Sequence, residues 1–151
     1  MGQKYRKAVF ILTYARTKKG IEYLLLKRKL HWKGWEFPKG AINKFETKRR
    51  AVRRELFEET GLKPLRIKRF DFSGKYNYSK ILKDRVKFKG QTFILYAAEV
   101  KKPEKRKISV DVKEHSDYKW VSYNKALKML KWPNQKKSLK MVHKWLKEKS
   151  Y

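Results

Sequence analysis

The sequence predicts an α+β fold, a mixed β-sheet with helices packed against it, and three observations carry that expectation. Short apolar and β-branched runs alternate with polar turns over most of the first 121 residues. A single strongly marked helix interrupts them at 47–60, and two more helices close the chain. The chain has 151 residues, enough to bury a continuous core, and shows neither internal repeat nor domain boundary. One domain over 1–151 is expected.

Residues 8–14 (AVFILTY) form the first strand and 21–27 (IEYLLLK) the second. The polar turn at 16–20 makes them neighbours in the sheet. Residues 28–39 form a loop dense in Trp32, Trp35 and Phe37, where Pro38 pushes Phe37 towards an extended conformation. Ala41 and Ile42 suit a short strand. The helix at 47–60 has Thr47 as its N-cap and Gly61 where a left-handed C-terminal residue belongs. Leu65, Ile67, Phe70 and Phe72 alternate as a strand, and 74–89 reads as a mobile loop or splayed hairpin. The most apolar run, 91–100 (QTFILYAAEV), is the expected central strand, followed by a charged turn at 101–107. A short strand at 118–121 and helices at 124–130 and 135–149, broken by Trp132 and Pro133, complete the order.

Lys and Arg number 43 against 14 Asp and Glu, a formal charge of +29. Such a charge attracts phosphates and nucleic acid, or reflects a Lys-rich proteome of the kind heat-adapted organisms show. The basic residues are spread throughout the chain, which leaves both readings open. With no Cys, disulfides, thiolate nucleophiles and Cys-based zinc sites are excluded. No apolar run reaches membrane-spanning length and the first ten residues lack a signal-peptide core. A cytoplasmic protein with no membrane association and no obligate protein partner is expected.

Against this basic background, the segment 40–62 (GAINKFETKRRAVRRELFEETGL) gathers Glu46, Glu55, Glu58 and Glu59. The last three stand at i, i+3 and i+4, so their carboxylates converge on one side of the helix. Like charges so placed repel one another unless a cation neutralises them. A hard dication such as Mg²⁺ takes oxygen ligands and shares carboxylates with substrate phosphates.

Gly40, Glu46, Arg54-Glu55-Leu56, Glu58-Glu59 and Gly61-Leu62 together resemble the Nudix box of the Nudix hydrolases, with every motif position filled. The resemblance implies an α/β/α sandwich and a pyrophosphohydrolase that uses Mg²⁺, with Mn²⁺ able to substitute. Water would attack a nucleoside diphosphate linked to some group X. By resemblance Glu58 and Glu59 are metal ligands and Glu55 a ligand or general base. The Lys39 carbonyl would complete the metal shell, and Arg54 would orient Glu46 and the other glutamates. Gly40 and Gly61 would shape the loop and the helix exit. Phe45 departs from the pattern, since many members carry Gly there, and a differently shaped loop is expected.

Two substrate classes are echoed outside the box. WEFPKG at 35–40 with RELFEE at 54–59 looks like bacterial RNA pyrophosphohydrolases, which trim 5′-triphosphorylated RNA. Asn77-Tyr78, Lys89, Ala98-Glu99-Val100 and Glu114-His115 with Tyr118 and Trp120 follow the order seen in asymmetric diadenosine tetraphosphate hydrolases. That resemblance favours a dinucleoside polyphosphate as substrate, cleaved to ATP and AMP. It implies an adenine between Tyr78 and Tyr118 and a polyphosphate held by Lys39, Lys89 and His31. Glu114 would add an acidic group near the metal. Each role has a plainer rival: Tyr118 packing with Trp120 in the core, His31 and His115 as loop hydrogen-bonders, Lys89 as a solvated lysine. RNA is the alternative substrate, which the net charge keeps open, and a catalytically silent nucleotide-binding module is a third reading.

Overall fold

In the computed structural model of the chain, residues 4–78, 82–85, 87–104, 108–111 and 113–149 are described. They form β1 (Lys4–Thr17), β2 (Gly20–Arg28), β3 (Gly34–Glu36), β4 (Lys39–Ala41), α1 (Lys48–Thr60), β5 (Arg66–Asn77), β6 (Phe88–Glu99), β7 (His115–Val121), α2 (Tyr123–Met129) and α3 (Pro133–Glu148). A short 3₁₀ turn spans Lys83–Arg85. The main path of the mixed sheet runs β3-β2-β1-β6-β5, with β4 against β1 and β7 against β2. β1 and β6 are parallel, and the other pairs are antiparallel. The expected mixed sheet with packed helices is therefore the observed one.

Apolar residues on alternate positions of β1 and β6 face opposite sides of the sheet, as the two-residue period of a strand requires. Val9, Ile11, Tyr96 and Ala98 bury against Ala51, Val52 and Leu56 of α1. Phe10, Leu12, Phe93 and Leu95 bury against Leu139, Val142 and Leu146 of α3. Three layers result. Full burial of a residue such as Leu56 contributes roughly 2 kcal/mol, which fixes the rotation of α1 and hence where its glutamates point.

Several boundaries move. β1 extends to Lys4 because its parallel ladder with β6 continues to Phe88, beyond the apolar stretch. The aromatic loop contains β3, where Trp35 pairs with Lys27, and the next strand is 39–41 rather than 41–42. The expected loop or splayed hairpin at 74–89 has strand at both ends, 74–77 and 88–89, with Tyr76 opposite Gln91 and Asn77 opposite Gly90, while residues 79–81 and 86 lie outside the described residues. Of the charged turn at 101–107, residues 105–107 lie outside the described residues. Among the described residues no helix is long and apolar enough to cross a membrane.

Both caps of α1 form as expected: the Thr47 side chain accepts from the Arg50 N–H, and Gly61 is left-handed at φ 76°. Phe45 is also left-handed, at φ 65°, with its side chain 96% exposed. The turn closes through the Glu46 N–H to the Asn43 carbonyl at 3.0 Å. The departure from glycine is thus absorbed by a strained backbone at Phe45, a conformation that glycine adopts without steric cost. Phe45→Gly is expected to stabilise the fold by about 0.5–1 kcal/mol, read from urea unfolding midpoints at constant slope. A destabilised variant would place the exposed ring in a contact that matters.

Candidate active site

β1 and β2 pair directly only through Tyr14–Thr17 and Gly20–Tyr23. Beyond that they diverge, and the segment from β3 to β4 fills the gap, with β3 on β2 and β4 on β1. The Ile11 N–H donates to the Pro38 carbonyl at 2.8 Å, which fastens the wedge at its middle. Pro38 needs only to accept there, so its missing N–H costs nothing. The wedge presents Glu36, Lys39 and Gly40 to α1. A Cβ at Gly40 would overlap the Glu55 carboxyl, so glycine here leaves the space in which that carboxyl sits.

Arg54 organises the first cluster. Its Nε and Nη2 donate to the two oxygens of Glu46 at 2.7 and 2.9 Å. Nη1 donates to Glu55 Oε1 at 2.7 Å and to Glu58 Oε2 at 3.2 Å, and Nη2 also reaches the Ala41 carbonyl at 2.7 Å. The paired hydrogen bonds from Arg54, helped by the Asn43 N–H, hold the Glu46 carboxyl down at about 2. Burial pushes the Glu55 carboxyl above its ordinary range, Arg54 opposing and Glu58 and Glu114 reinforcing.

The second cluster lies deeper. Glu36, Glu59 and His115 are fully buried. His115 Nε2 lies 2.8 Å from Glu36 Oε2, which also accepts from Arg28 Nη1 at 3.2 Å. Lys39 Nζ is 3.4 Å from Glu36 Oε1. Burial opposes ionisation of Glu36, yet Lys39, the His115 hydrogen bond and Arg28 hold its carboxyl down at about 2. Glu59 has the opposite balance. Its Oε1 accepts the Lys39 N–H at 3.0 Å, while Oε2 has no hydrogen-bond partner. Burial, then the charges of Glu36, Glu114 and Glu55, raise its carboxyl well above the ordinary range.

Both clusters border one pocket of about 160 Å³. Glu55, Glu58, Glu59, Asp111 and Glu114 line it together with Arg6, Arg28 and Arg85. Burial and the neighbouring Arg85 lower the pKa of the Arg6 guanidinium. Arg6 Nη1 is held by Gln91 Oε1 at 2.9 Å and Arg85 Nη1 by the Tyr78 hydroxyl at 3.2 Å, two neutral partners that leave the positive charge for an anion.

The pocket therefore gathers Lys39, Gly40, Glu55, Glu58, Glu59 and Glu114 from the expected set. Glu46 acts one step back, through Arg54, and Gly61 ends the helix. His31 is engaged elsewhere: left-handed at φ 74°, it joins Asp84 at 2.9 Å and Arg28 at 3.3 Å, tying the β2–β3 loop to the 83–85 turn. Lys89 is exposed with its Nζ over the Tyr5 ring. Tyr78 and Tyr118 are not brought together. Tyr118 packs on the Leu24, Leu26 and Ile108 cluster of the α1 side. Tyr78 bonds Gln91, which shares the α3 side with Phe93 and Leu95 by strand alternation. β7 and β5 are also four strands apart. Sequence reasoning missed Arg6, Arg28, Arg85 and Glu36 and gave His115 no catalytic role. Among 43 basic residues nothing local marks three arginines.

Five carboxylates beside one small pocket, one with a buried oxygen lacking a partner, suit a divalent cation. A sequence profile of the NUDIX domain matches residues 4–142. An RNA pyrophosphohydrolase of Nitratiruptor sp. is 36% identical over 109 residues, covering 70% of this chain and 69% of that one. An RNA pyrophosphohydrolase of Campylobacter jejuni is 29% identical over 124 residues, covering 78% and 76%. A C. elegans Ap4A hydrolase, solved as a binary complex, shares the fold with a TM-score of 0.74 at 22% identity, covering 95% and 98%.

Proposed function

The chain belongs to the Nudix hydrolase family, and from that premise we propose that it is a Mg²⁺- or Mn²⁺-dependent pyrophosphohydrolase of 5′-triphosphorylated RNA. The observation that carries the reading is the pocket itself, with Arg6 and Arg85 facing the same space as Glu55, Glu58, Glu59 and Glu114. A polyphosphate needs both sides. The guanidiniums would hold phosphate oxygens, and the carboxylates would hold a cation that neutralises the phosphate charge.

Glu58, Glu59 and Glu114, with the Lys39 carbonyl, would hold the metal, which supplies polarisation of a phosphoryl oxygen. Glu55 is the general base. Arg54 occupies its Oε1, leaving Oε2, on the Gly40 side, to take the proton of the attacking water. A carboxyl raised by burial suits that task, because an efficient base titrates near the working pH. Arg6 and Arg85 orient the phosphates and stabilise charge that builds on the leaving group.

RNA is preferred to a dinucleotide on three grounds. The adenine sandwich between Tyr78 and Tyr118 is disfavoured, since Tyr78 follows β5 and Tyr118 lies on β7, four strand positions away in the sheet. The Nitratiruptor and Campylobacter relatives bear the name RNA pyrophosphohydrolase. A polymer also uses a surface of net charge +29 that a dinucleotide cannot cover. A single domain acting in the cytoplasm is the corresponding setting.

Turnover of triphosphorylated RNA should fall steeply as salt rises, because many phosphates are neutralised at once, while turnover of diadenosine tetraphosphate should depend weakly on it. Side-by-side kcat/KM measurements across a salt titration check this. Faster turnover of the dinucleotide at every salt concentration would return the adenine-specific reading.

A further inference from the structure

His115 is left unexplained by the reaction above. Its Nε2 faces Glu36, a carboxylate held ionised by Arg28 and Lys39, so Nε2 carries the hydrogen and donates. In the neutral ring Nδ1 then presents a lone pair. That atom is buried and has no hydrogen-bond partner, and the same is true of Glu59 Oε2, 3.7 Å away. Two buried polar atoms therefore face each other with neither satisfied. The distance is too long for a proton held between them, since O–H···N and N–H···O bonds close at about 2.7–3.2 Å.

A metal ion fits the gap better. In the octahedral shell that Mg²⁺ and Mn²⁺ prefer, ligand bonds near 2.1 Å separate adjacent donors by about 3.0 Å, so the two atoms, 3.7 Å apart, would close by less than about 1 Å onto a bound ion. Donor atoms of Glu59, Glu114 and His115 all lie within 4.8 Å of one another. A bulge brings the two neighbours to one place: Lys27 pairs with Asp117 but Arg28 with His115, so Ser116 is the extra residue. Bulges of this kind re-aim side chains beside active sites. The Glu36–His115 hydrogen bond is also the one that metal-ligating histidines commonly make to fix their tautomer and orientation.

We propose that His115 Nδ1 is a metal ligand, completing with Glu59 and Glu114 a nitrogen-containing site that favours a transition dication such as Mn²⁺ over Mg²⁺. The inference rests on the metal-dependent reading of the pocket. Imidazole adds affinity for transition ions and almost none for Mg²⁺, so the site separates the two.

The test is pulsed electron paramagnetic resonance on the full chain loaded with Mn²⁺. The expected result is a ¹⁴N modulation from a directly bound imidazole, converted to the ¹⁵N pattern when histidine alone is ¹⁵N-labelled. His115→Gln should abolish the modulation and weaken Mn²⁺ binding by about 10–100-fold in calorimetry, with Mg²⁺ binding changed less than about threefold. Should His115→Gln fail to fold, the double variant His31→Gln/His143→Gln leaves His115 as the sole histidine, and its labelled nitrogen must still appear. Mn²⁺ bound without nitrogen modulation overturns the role of His115 and leaves the carboxylate metal site standing. No Mn²⁺ binding at all overturns the metal-centre reading as well.

Discussion

Glu59→Gln is expected to lower kcat by about 10³-fold or more and, in metal-free protein near neutral pH, to make the fold more stable. The two effects have one origin. Glu59 is buried beside Glu36, Glu114 and Glu55, and its carboxyl is raised well above the usual range. A raised pKa means that the native state keeps its proton where the unfolded chain has lost it. The stability this proton confers is complete below the unfolded pKa and drains away as pH rises through the folded one. Glutamine removes that loss. Its carbonyl keeps the Lys39 N–H bond, and a neutral amide has no charge for Glu36, Glu114 and Glu55 to repel. A gain on the order of 1–3 kcal/mol follows above neutral pH, shrinking towards zero in acid. Added Mn²⁺ should raise the melting temperature of the parent protein and leave that of the variant where it was. Thermal melts with and without metal at two pH values check both signs. A variant less stable than the parent at pH 8 would show that Glu59 is held by a partner other than a cation.

Arg54→Lys is the second large effect, a loss of about 10²-fold in kcat. An ammonium has the charge but not the planar fork, and cannot serve Glu46, Glu55, Glu58 and the Ala41 carbonyl together. Glu55 then loses the bond that turns its Oε2 towards Gly40. Glu46 reports the same change by titration. Its carboxyl is depressed, so the stability it contributes is present above the ordinary carboxylate range and lost as pH falls through about 2. In Arg54→Lys the Glu46 resonance should titrate nearer its ordinary value, followed by carbon-detected nuclear magnetic resonance. An unmoved Glu46 titration together with full activity would show that the fork is dispensable.

The helix and its charges were legible because they are local. Thr47, Gly61 and the apolar positions 51, 52 and 56 specify a capped helix with one buried side, and Glu55, Glu58 and Glu59 follow from the spacing. The partition among those carboxylates was not legible. One helical turn predicts that they converge, yet Arg54 draws Glu55 and Glu58 together while Glu59 turns to Lys39 and His115. Burial decides this, and burial depends on the wedge at 34–41, whose aromatic sequence reads as loop until β1 and β2 are seen to part.

The expected adenine clamp depends on a non-local relation of the same kind. Tyr78 and Tyr118 sit in a suggestive order along the chain, but β5, which Tyr78 follows, and β7, which carries Tyr118, are four strand positions apart in the sheet. His31 and Lys89 likewise have partners, Asp84 and the Tyr5 ring, that stand far from them in sequence or across a strand pair.

What the sequence by itself determined is the chemistry of one helix: a carboxylate-bearing, arginine-braced segment whose caps and spacing need nothing beyond their own neighbours. What the tertiary structure alone decided is the company that helix keeps. Arg6 comes from β1, Arg28 from β2, Glu36 from β3, Arg85 from the 3₁₀ turn and His115 from β7. Each meets the helix only through strand register and the divergence of two strands. Those are non-local contacts, and in a chain with 43 basic residues no local pattern distinguishes the few that turn inward.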